Sequence, residues 1–253
     1  MEKIVIQNHI IDNYHSPFII SEAGLNHNGE IDKAFKMIEL AKQAGSDSIK
    51  FQTFKAKNFI SDLNQTYTYI SQGNEITEPM INMFERCEFS INEWFEIKNK
   101  CEEEKIIFLS TPVNPSDLEL LIKLDVPAVK IGSSDLTNLP LLTSCKNSKL
   151  PILLSCGMSS SEEISKSLQI IGSPDKNNVV LLVCTSEYPT PSIDVNLRRF
   201  QTFSKLFPNV PLGFSDHTQG SLASSLAVSM GSCIFEKHFT LDHNLPGPDP
   251  YLQ

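Results

Sequence analysis

The sequence predicts an α/β protein of the (β/α)8 TIM-barrel class, in which eight strands alternate with helices. Eight short and nearly uninterrupted apolar runs lie between residues 18 and 239, which is typical of strands buried on both faces. Segments with apolar residues at helical spacing separate these runs. The length of 253 residues is that of a single barrel. A doubly wound open sheet is the alternative, but no glycine-rich dinucleotide-binding motif follows the first run.

The elements can be assigned in order from the N-terminus. Residues 1–15 hold two short alternating runs and are predicted to form a β-hairpin before the barrel domain of residues 16–253. The strands are predicted at residues 18–24, 48–53, 106–112, 128–133, 151–157, 179–185, 210–215 and 233–239. Helices are predicted at residues 31–44, 91–105, 116–124, 139–147, 160–171, 194–206 and 221–230. Gly45 is the predicted C-cap of the first helix, and Ser116 is the predicted N-cap of the third.

Two segments depart from the regular alternation. Residues 54–90 form a long polar insertion after the second strand, and this insertion is long enough to be a lid over the rim. After the last strand only residues 241–253 remain, so the barrel is predicted to be truncated before its eighth helix. A barrel strand without its covering helix exposes apolar surface, which predicts a chain of marginal stability.

Composition excludes several classes of partner. The net charge of −9 and the pI of about 5.2 argue against binding to nucleic acid or to an anionic membrane. No apolar run reaches about 18 residues, and the N-terminus does not resemble a signal peptide. The six cysteines are scattered without a Cys-x-x-Cys pair, which indicates free thiols in a reducing, cytoplasmic location.

Two lysines interrupt apolar strands close to their carboxyl ends, where barrel enzymes carry their catalytic groups. Lys50 and Lys130 would each cost several kcal/mol if buried without an anionic partner. In one interpretation, each lysine pairs with a buried carboxylate such as Glu22 or Asp135. In the other, the two lysines form a phosphate or carboxylate pocket with hydroxyl groups from four strand ends. Those hydroxyl groups belong to Thr111, Ser133, Ser155 and Ser186.

Histidines stand near the ends of the last two predicted strands. His217 and His238 would lie side by side at one rim if these strands are neighbours. Glu236 would share the face of His238, because residues two apart on a strand point the same way. Two imidazoles with carboxylates nearby suit a divalent ion such as Mn, Fe, Co or Zn. Two unrelated histidines are the alternative. Together with the lysines and hydroxyl groups, the set indicates a metal-assisted reaction on a small phosphorylated anion.

Motifs along almost the whole chain carry a family resemblance. They include Asn-His-Asn-Gly at residues 26–29, Lys-Phe-Gln-Thr-Phe at 50–54, Lys-Ile-Gly-Ser at 130–133, Gly-Phe-Ser-Asp-His-Thr at 213–218 and Leu-Pro-Gly-Pro-Asp at 245–249. In this order they resemble the motifs of the sialic acid synthases, a family that includes N-acetylneuraminate, legionaminate and related nonulosonate synthases. The chain departs from the family pattern at Cys156, where threonine is commoner, and after Asp249.

The resemblance implies a barrel that condenses phosphoenolpyruvate with an open-chain N-acetylated amino sugar. The sugar would be N-acetylmannosamine or a 6-deoxy diacetamido analogue, and the products would be phosphate and a nonulosonic acid for cell-surface polysaccharide. The resemblance also implies a divalent metal ion, manganese first and Mg, Co or Fe as alternatives, with His217 and His238 as its ligands. Phosphoenolpyruvate would contact Lys50, Thr111, Lys130, Ser133, Ser155, Ser186 and Tyr188.

Further roles follow from the same resemblance. Glu22, Lys50 and Lys130 would be the catalytic residues, with Glu22 orienting or deprotonating the attacking water. The residues facing the sugar and this water would be Glu22, Gln52, Asp135 and Asp249. The family is homodimeric, and its C-terminal antifreeze-like domain reaches the sugar site of the partner. That domain is absent from the 253 residues, so two hypotheses stay open: a synthase, or a truncated remnant that binds only metal or phosphoenolpyruvate. The octulosonate and heptulosonate phosphate synthases are a rival family, but the motifs at residues 26–29 and 245–249 argue against them.

Overall fold

The structure is a computed structural model that describes residues 4–172 and 178–247. Its strands are β1 (Ile4–Ile6), β2 (His9–Ile11), β3 (Phe18–Glu22), β4 (Ser48–Thr53), β5 (Thr66–Ser71), β6 (Asn74–Pro79), β7 (Ile107–Pro112), β8 (Val129–Ile131), β9 (Ile152–Ser155), β10 (Val179–Val183), β11 (Leu212–Asp216) and β12 (Ile234–His238). Its helices are α1 (Ile31–Gln43), α2 (Ala56–Phe59), α3 (Met80–Arg86), α4 (Ile91–Glu103), α5 (Pro115–Lys123), α6 (Leu139–Ser148), α7 (Ser161–Ile171), α8 (Arg199–Leu206) and α9 (Leu222–Ser229). None of these helices is long and apolar enough to cross a membrane.

The strand order confirms the predicted (β/α)8 barrel. Within the described residues, eight strands form one sheet in the order β7-β4-β3-β12-β11-β10-β9-β8. Strands that follow one another in the chain are neighbours in this sheet except β7 and β8, which stand at its two ends, and the first of the eight, β3, lies beside the last, β12. The pairs from β8 to β12 and the pair of β4 with β7 are parallel. All five residues of β10 are buried, as expected for a sheet covered on both faces.

The chain divides into two compact units. The first comprises Met1–Ile20 and Val126–Lys237, and the second comprises Ser21–Asp125 and His238–Gln253. The predicted N-terminal hairpin belongs to the first unit, where β1 and β2 pair antiparallel and Ile4 lies opposite Ile11. Ile4, Ile6 and Ile11 are buried, so the hairpin has one apolar face.

Two helices, α5 in the second unit and α8 in the first, begin at residues other than those predicted from the sequence. Helix α5 begins at Pro115, with Asn114 rather than Ser116 as its N-cap. The backbone N–H of Asn114 donates to the carboxylate of Asp117 at 2.9 Å, which satisfies a group that the helix leaves open. Helix α8 begins at Arg199 rather than at residue 194, because Asn196 has a φ of +42°, which lies outside the helical region.

The predicted insertion of residues 54–90 contains two short helices and the β5–β6 hairpin. Gln72 and Gly73 form its two-residue turn, both with positive φ, as a turn that follows the strand twist requires. The side chain of Gln72 donates to the carbonyl of Asn244 at 2.9 Å, and the N–H of Gly247 donates to Ser71 Oγ at 3.1 Å. The hairpin tip therefore binds the segment after β12. Its function as a lid stays a prediction.

A histidine lies within the aromatic core of the second unit. The ring of His27 is 4.5 Å from that of Phe89 and 5.9 Å from that of Phe51, measured between centroids. Its Nδ1 accepts the backbone N–H of Gly29 at 3.0 Å, so Nε2 carries the proton of the neutral ring. This Nε2 has no hydrogen-bond partner within the described part of the chain. Burial lowers the pKa of His27 to about 3.

This buried histidine predicts a pH dependence of stability. The unfolded chain binds a proton at His27 below a pKa of 6.5, whereas the folded chain does so only below about 3. As the pH is lowered from 6.5 towards 3, this residue alone should therefore reduce the free energy of unfolding by about 1.4 kcal/mol per pH unit. The free energy of unfolding is measured by urea denaturation at several pH values between 6.5 and 4. It should change less with pH in His27→Gln than in the wild type. The exposed His243→Gln variant is the control, and an unchanged slope in His27→Gln would contradict the assignment.

Candidate active site

A buried ion pair joins the ends of two neighbouring strands in the second unit. Lys50 Nζ on β4 lies 2.6 Å from Glu22 Oε2 at the end of β3, and both side chains are at most 3% exposed. Lys50 also donates to Thr111 Oγ1 on β7 at 2.9 Å. Gln52 Nε2 donates to Glu22 Oε1 at 3.3 Å. The structure therefore brings together four of the predicted site residues, and the carboxylate partner of Lys50 is the predicted Glu22.

A second buried ion pair lies in the first unit. Lys130 Nζ on β8 is 3.1 Å from Glu236 Oε1 on β12, and this oxygen also accepts a hydrogen bond from Ser215 Oγ at 2.9 Å. The carboxylate suggested from the sequence, Asp135, is not the partner. Its side chain lies in the short 3₁₀ turn after β8 and accepts from Asn138 Nδ2 at 3.1 Å. Lys130 is paired with the buried Glu236, whereas the carboxylate of Asp135 is hydrogen-bonded within its own turn.

His217 directly follows β11 and has a defined tautomer. Its Nδ1 lies 2.6 Å from the carbonyl oxygen of Thr185, an acceptor, so Nδ1 carries the proton and Nε2 the lone pair. Nε2 faces Ser215 Oγ at 3.3 Å, and the ring stacks on Tyr188 with centroids 4.0 Å apart. Burial lowers the pKa of His217, against the opposing effect of the Thr185 hydrogen bond. A neutral imidazole is the form that ligates metals.

Small polar groups converge at the ends of β8, β9 and β10 in the first unit. The N–H of Gly157 donates to Ser133 Oγ at 2.9 Å, and this oxygen lies 3.1 Å from Cys184 Sγ. A Cβ at Gly157 would lie only 2.6 Å from Ser186 Oγ and 2.7 Å from Cys184 Sγ. Nearby on β9, the buried hydroxyl of Ser155 has no hydrogen-bond partner among the described residues. We call these five residues the hydroxyl cradle; its shape suits an acceptor-rich anion.

Two members of the hydroxyl cradle, Gly157 and Cys184, were not predicted as site residues from the sequence. Gly157 has no side-chain functional group, and it contributes by leaving space for the neighbouring Ser186 and Cys184 side chains. Cys184 is fully buried and was predicted only to be a free thiol. The available signal was position, since Cys184 directly follows β10 and Gly157 lies two residues after the end of β9.

The two predicted metal ligands belong to different compact units. The register of β11 and β12 pairs Asp216 with Lys237, and the next residue along each strand is a histidine, His217 and His238. The side chain of His238 is half-buried. In the described residues, no group of three or more His, Cys, Asp or Glu side chains is arranged to hold a metal ion. Asp249, predicted to face the sugar, lies outside the described residues. The shared metal site stays a prediction.

Charged and polar clusters at the carboxyl ends of parallel strands define a class: (β/α)8 barrels that bind their ligands at this rim. The chain belongs to the NeuB family, whose model matches residues 37–252. The predicted kinship with the sialic acid synthases is thereby confirmed.

Individual relatives agree with this assignment. The chain is 38% identical over 236 residues to N,N'-diacetyllegionaminic acid synthase of Legionella pneumophila, covering 92% of this chain and 66% of that protein. It is 40% identical over 233 residues to the synthase of the same name from Campylobacter jejuni, covering 91% and 70%. The chain thus spans about two thirds of the length of these curated relatives. The crystal structure of N-acetylneuraminic acid synthetase from Leptospira borgpetersenii in complex with citrate matches with a TM-score of 0.89 and 32% identity, over 100% of this chain and 83% of that chain.

Proposed function

We propose that this protein is a nonulosonate synthase barrel, which condenses phosphoenolpyruvate with an open-chain N-acetylated amino sugar. The observation that carries the proposal is the pair of buried lysine–carboxylate contacts at strand ends, Lys50 with Glu22 and Lys130 with Glu236. A buried ion pair contributes little net stability, because the cost of desolvating both charges offsets much of their Coulomb attraction, so a functional role is the better explanation for these two pairs. Family membership supports the same reaction class, since the named relatives are synthases of sialic and legionaminic acids.

The anion of phosphoenolpyruvate fits the chemistry of the proposed pocket. The ammonium groups of Lys50 and Lys130 would balance its charge, and an entering anion would compete with Glu22 and Glu236 for them. The hydroxyl cradle offers short side chains that accept or donate without a large steric demand. The unsatisfied hydroxyl of Ser155 supports this, because a buried hydroxyl without a partner gains free energy when a ligand supplies an acceptor. Thr111 and Tyr188 would complete the contacts.

The proposed reaction forms one carbon–carbon bond and releases phosphate. Carbon 3 of phosphoenolpyruvate bonds to the aldehyde carbon of the sugar, and the aldehyde oxygen takes up a proton to become a hydroxyl. Water adds to carbon 2, which carries the developing positive charge, and the phosphate group leaves from that carbon. Glu22 is the proposed base for this water. Its carboxylate becomes more basic when Lys50 turns from it towards the substrate anion. Gln52, Asp135 and Asp249 would contact the sugar.

The donor set of this chain fits a divalent ion in part. The hydrogen bond from Nδ1 of His217 to the Thr185 carbonyl fixes the ring and leaves Nε2 as the coordinating atom, the usual arrangement of a metal-bound histidine. His238 is the proposed second ligand, with manganese as the first choice of metal and Mg, Co or Fe as alternatives. Such an ion would supply Lewis-acid polarisation of the sugar aldehyde. The net charge of −9 further supports a small-molecule substrate over nucleic acid. Homodimerisation and a cytoplasmic location are further predictions.

The reaction is tested by incubating the full chain with phosphoenolpyruvate, Mn²⁺ and either N-acetylmannosamine or its 6-deoxy diacetamido analogue. Phosphate release that requires the sugar, with a product mass equal to sugar plus pyruvate, is the expected result. Glu22→Gln should lower the rate at least about 100-fold, the usual contribution of a general base. Binding of phosphoenolpyruvate without turnover would instead favour the alternative of a non-catalytic binding protein. Absence of both would contradict the proposal.

The metal site predicts a binding change. His217→Ala should weaken Mn²⁺ binding strongly, because the ion loses one of its two proposed protein ligands, and His238→Ala should do the same. Electron paramagnetic resonance of free Mn²⁺ in a titration measures this affinity without any need for turnover. His243→Ala is the matched control, since His243 is exposed and has no proposed role. Equal Mn²⁺ retention by the double variant of His217 and His238 would contradict the site.

A further inference from the structure

Arg199, the first residue of α8, donates hydrogen bonds to the loop that joins β10 to this helix. Its Nη1 donates to the carbonyl of Cys184 at 2.7 Å, and its Nη2 donates to Thr185 Oγ1 at 2.7 Å. Nη2 also donates to the carbonyl of Val195 at 3.0 Å, and Nε donates to that of Asn196 at 3.4 Å. One guanidinium group therefore connects the two ends of this loop.

The position of this cation in the helix indicates a role other than helix stability. A positive charge at the first helical residue is repelled by the helix dipole, whose positive end lies there. The planar guanidinium group can donate to several acceptors in a fixed geometry, which a single ammonium group does not provide. The four acceptors that Arg199 reaches in the loop are three backbone carbonyls and one hydroxyl, so the contact fixes the course of the backbone.

The same end of the loop is also connected to β11. We call residues 184–198 the β10–α8 loop. Thr185 Oγ1 donates to the carbonyl of Asp194 at 3.0 Å, which ties the two ends of the loop a second time. The carbonyl of Thr185 accepts from His217 Nδ1 at 2.6 Å, and the N–H of Thr190 donates to the carbonyl of His217 at 2.8 Å. The loop is thus fixed both at its base and against the residue that follows β11.

The β10–α8 loop carries two residues of the proposed anion pocket. Ser186 directly follows Thr185, and Tyr188 stands two residues further along the chain. A Cβ at Gly157 would lie only 2.6 Å from Ser186 Oγ, so this hydroxyl is packed closely against the turn after β9. The ring of Tyr188 stacks on that of His217 with centroids 4.0 Å apart. A shift of the Thr185 backbone would therefore displace both side chains.

We propose that Arg199 is a positioning residue for phosphoenolpyruvate, because it holds the base of the β10–α8 loop and thereby sets where Ser186 and Tyr188 meet the anion. The proposal rests on the anion pocket of the proposed function and needs no metal ion. Arg199 does not touch the anion and acts through the residues it holds, Cys184 and Thr185. Without the guanidinium group, affinity for phosphoenolpyruvate should fall about tenfold, the effect of losing one polar contact to the ligand.

The first measurement is the phosphoenolpyruvate affinity of the full chain by isothermal titration calorimetry. Arg199→Ala should weaken binding about tenfold, and Arg199→Lys, which reaches fewer acceptors, should lie between this variant and the wild type. Arg198→Ala is the matched control, because this neighbouring arginine is exposed. Guanidinium chloride at millimolar concentration should restore binding by Arg199→Ala, whereas sodium chloride should not. General destabilisation would not be rescued in this way, since guanidinium is itself a denaturant.

A second measurement reads the loop without substrate. The amide of Thr190 lies in the β10–α8 loop, and the amide of Leu181 on β10 donates to the carbonyl of Pro211 at 3.0 Å. In Arg199→Ala, hydrogen exchange followed by NMR should become at least about tenfold faster at Thr190 and change much less at Leu181, because only the loop is released. Exchange that accelerates equally at both amides would mean general destabilisation and would overturn the proposal.

The two measurements distinguish this proposal from the proposed function. If the wild type does not bind phosphoenolpyruvate but Thr190 responds selectively, the anion pocket is wrong and the positioning of the loop by Arg199 stands. If the wild type binds and Arg199→Ala keeps its affinity, the positioning role is overturned and the anion pocket stands. Unchanged exchange at Thr190 overturns the role in either case. If Arg199→Ala does not fold, Arg199→Lys decides through the same measurements, and wild-type values in both overturn the proposal.

Discussion

Lys50→Met should abolish phosphoenolpyruvate binding and also lower the free energy of unfolding by about 3–5 kcal/mol. The sequence by itself suggests that removing this buried charge leaves the fold intact or stabilises it. The structure changes the expected sign, because Glu22 lies 2.6 Å from the ammonium group and is equally buried. Removing the lysine takes the ammonium partner from a buried carboxylate, and the neutral amide of Gln52, which donates to it at 3.3 Å, does not replace that charge.

The double variant Glu22→Gln, Lys50→Met separates the structural effect from the functional one. It removes both charges, so most of the lost stability should return while phosphoenolpyruvate binding stays absent. Isothermal titration calorimetry measures the binding, and urea denaturation measures the stability. Lys57→Met is the control, because its pair with Glu85 is exposed and should contribute less than about 1 kcal/mol. Wild-type affinity for phosphoenolpyruvate in either Lys50 variant would refute the anion pocket.

Gly29→Ala is expected to have the largest effect on stability among the glycine variants considered. Gly29 has a φ of +74°, and a Cβ added there would lie 1.9 Å from the carbonyl oxygen of Arg86. The obstacle is backbone, which cannot rotate away, so α3 or the turn must move. We expect a loss of about 4 kcal/mol or more in the free energy of unfolding, the range of severe single substitutions.

Gly45→Ala is the matched control for this clash. Gly45 has a similar φ of +86°, but an added Cβ meets nothing within 4 Å. Its cost should be limited to the left-handed backbone conformation, about 1–2 kcal/mol. Urea denaturation of the two variants thus isolates the steric part. Equal losses would mean that the contact with Arg86 is not tight, and the packing explanation for glycine in the Asn-His-Asn-Gly motif would be wrong.

The sequence by itself determined the secondary structure and the class of fold. Apolar runs such as residues 179–183 and helical spacings such as that of residues 31–43 are local signals, and each places an element without knowledge of its neighbours. The strand ends followed from the same signals, so the polar residues at those ends could be named in advance. Pairing of Lys50 with Glu22 could also be foreseen, because both lie at the ends of successive barrel strands.

The tertiary structure alone decided the other contacts between these side chains. Lys130 and Glu236 are far apart in the chain, and their contact depends on how β8 and β12 are placed within the first unit. Asp135 is closer to Lys130 in the sequence, but its carboxylate accepts a hydrogen bond from Asn138, and only the geometry of the turn shows this contact. Gly157 belongs to the hydroxyl cradle because the neighbouring side chains lie where its Cβ would be. No pattern in the sequence predicts this contact. A parallel sheet brings together residues from distant segments at a register fixed by packing of the whole barrel, so the sequence predicts pairs on successive strands but not pairs such as Lys130 with Glu236.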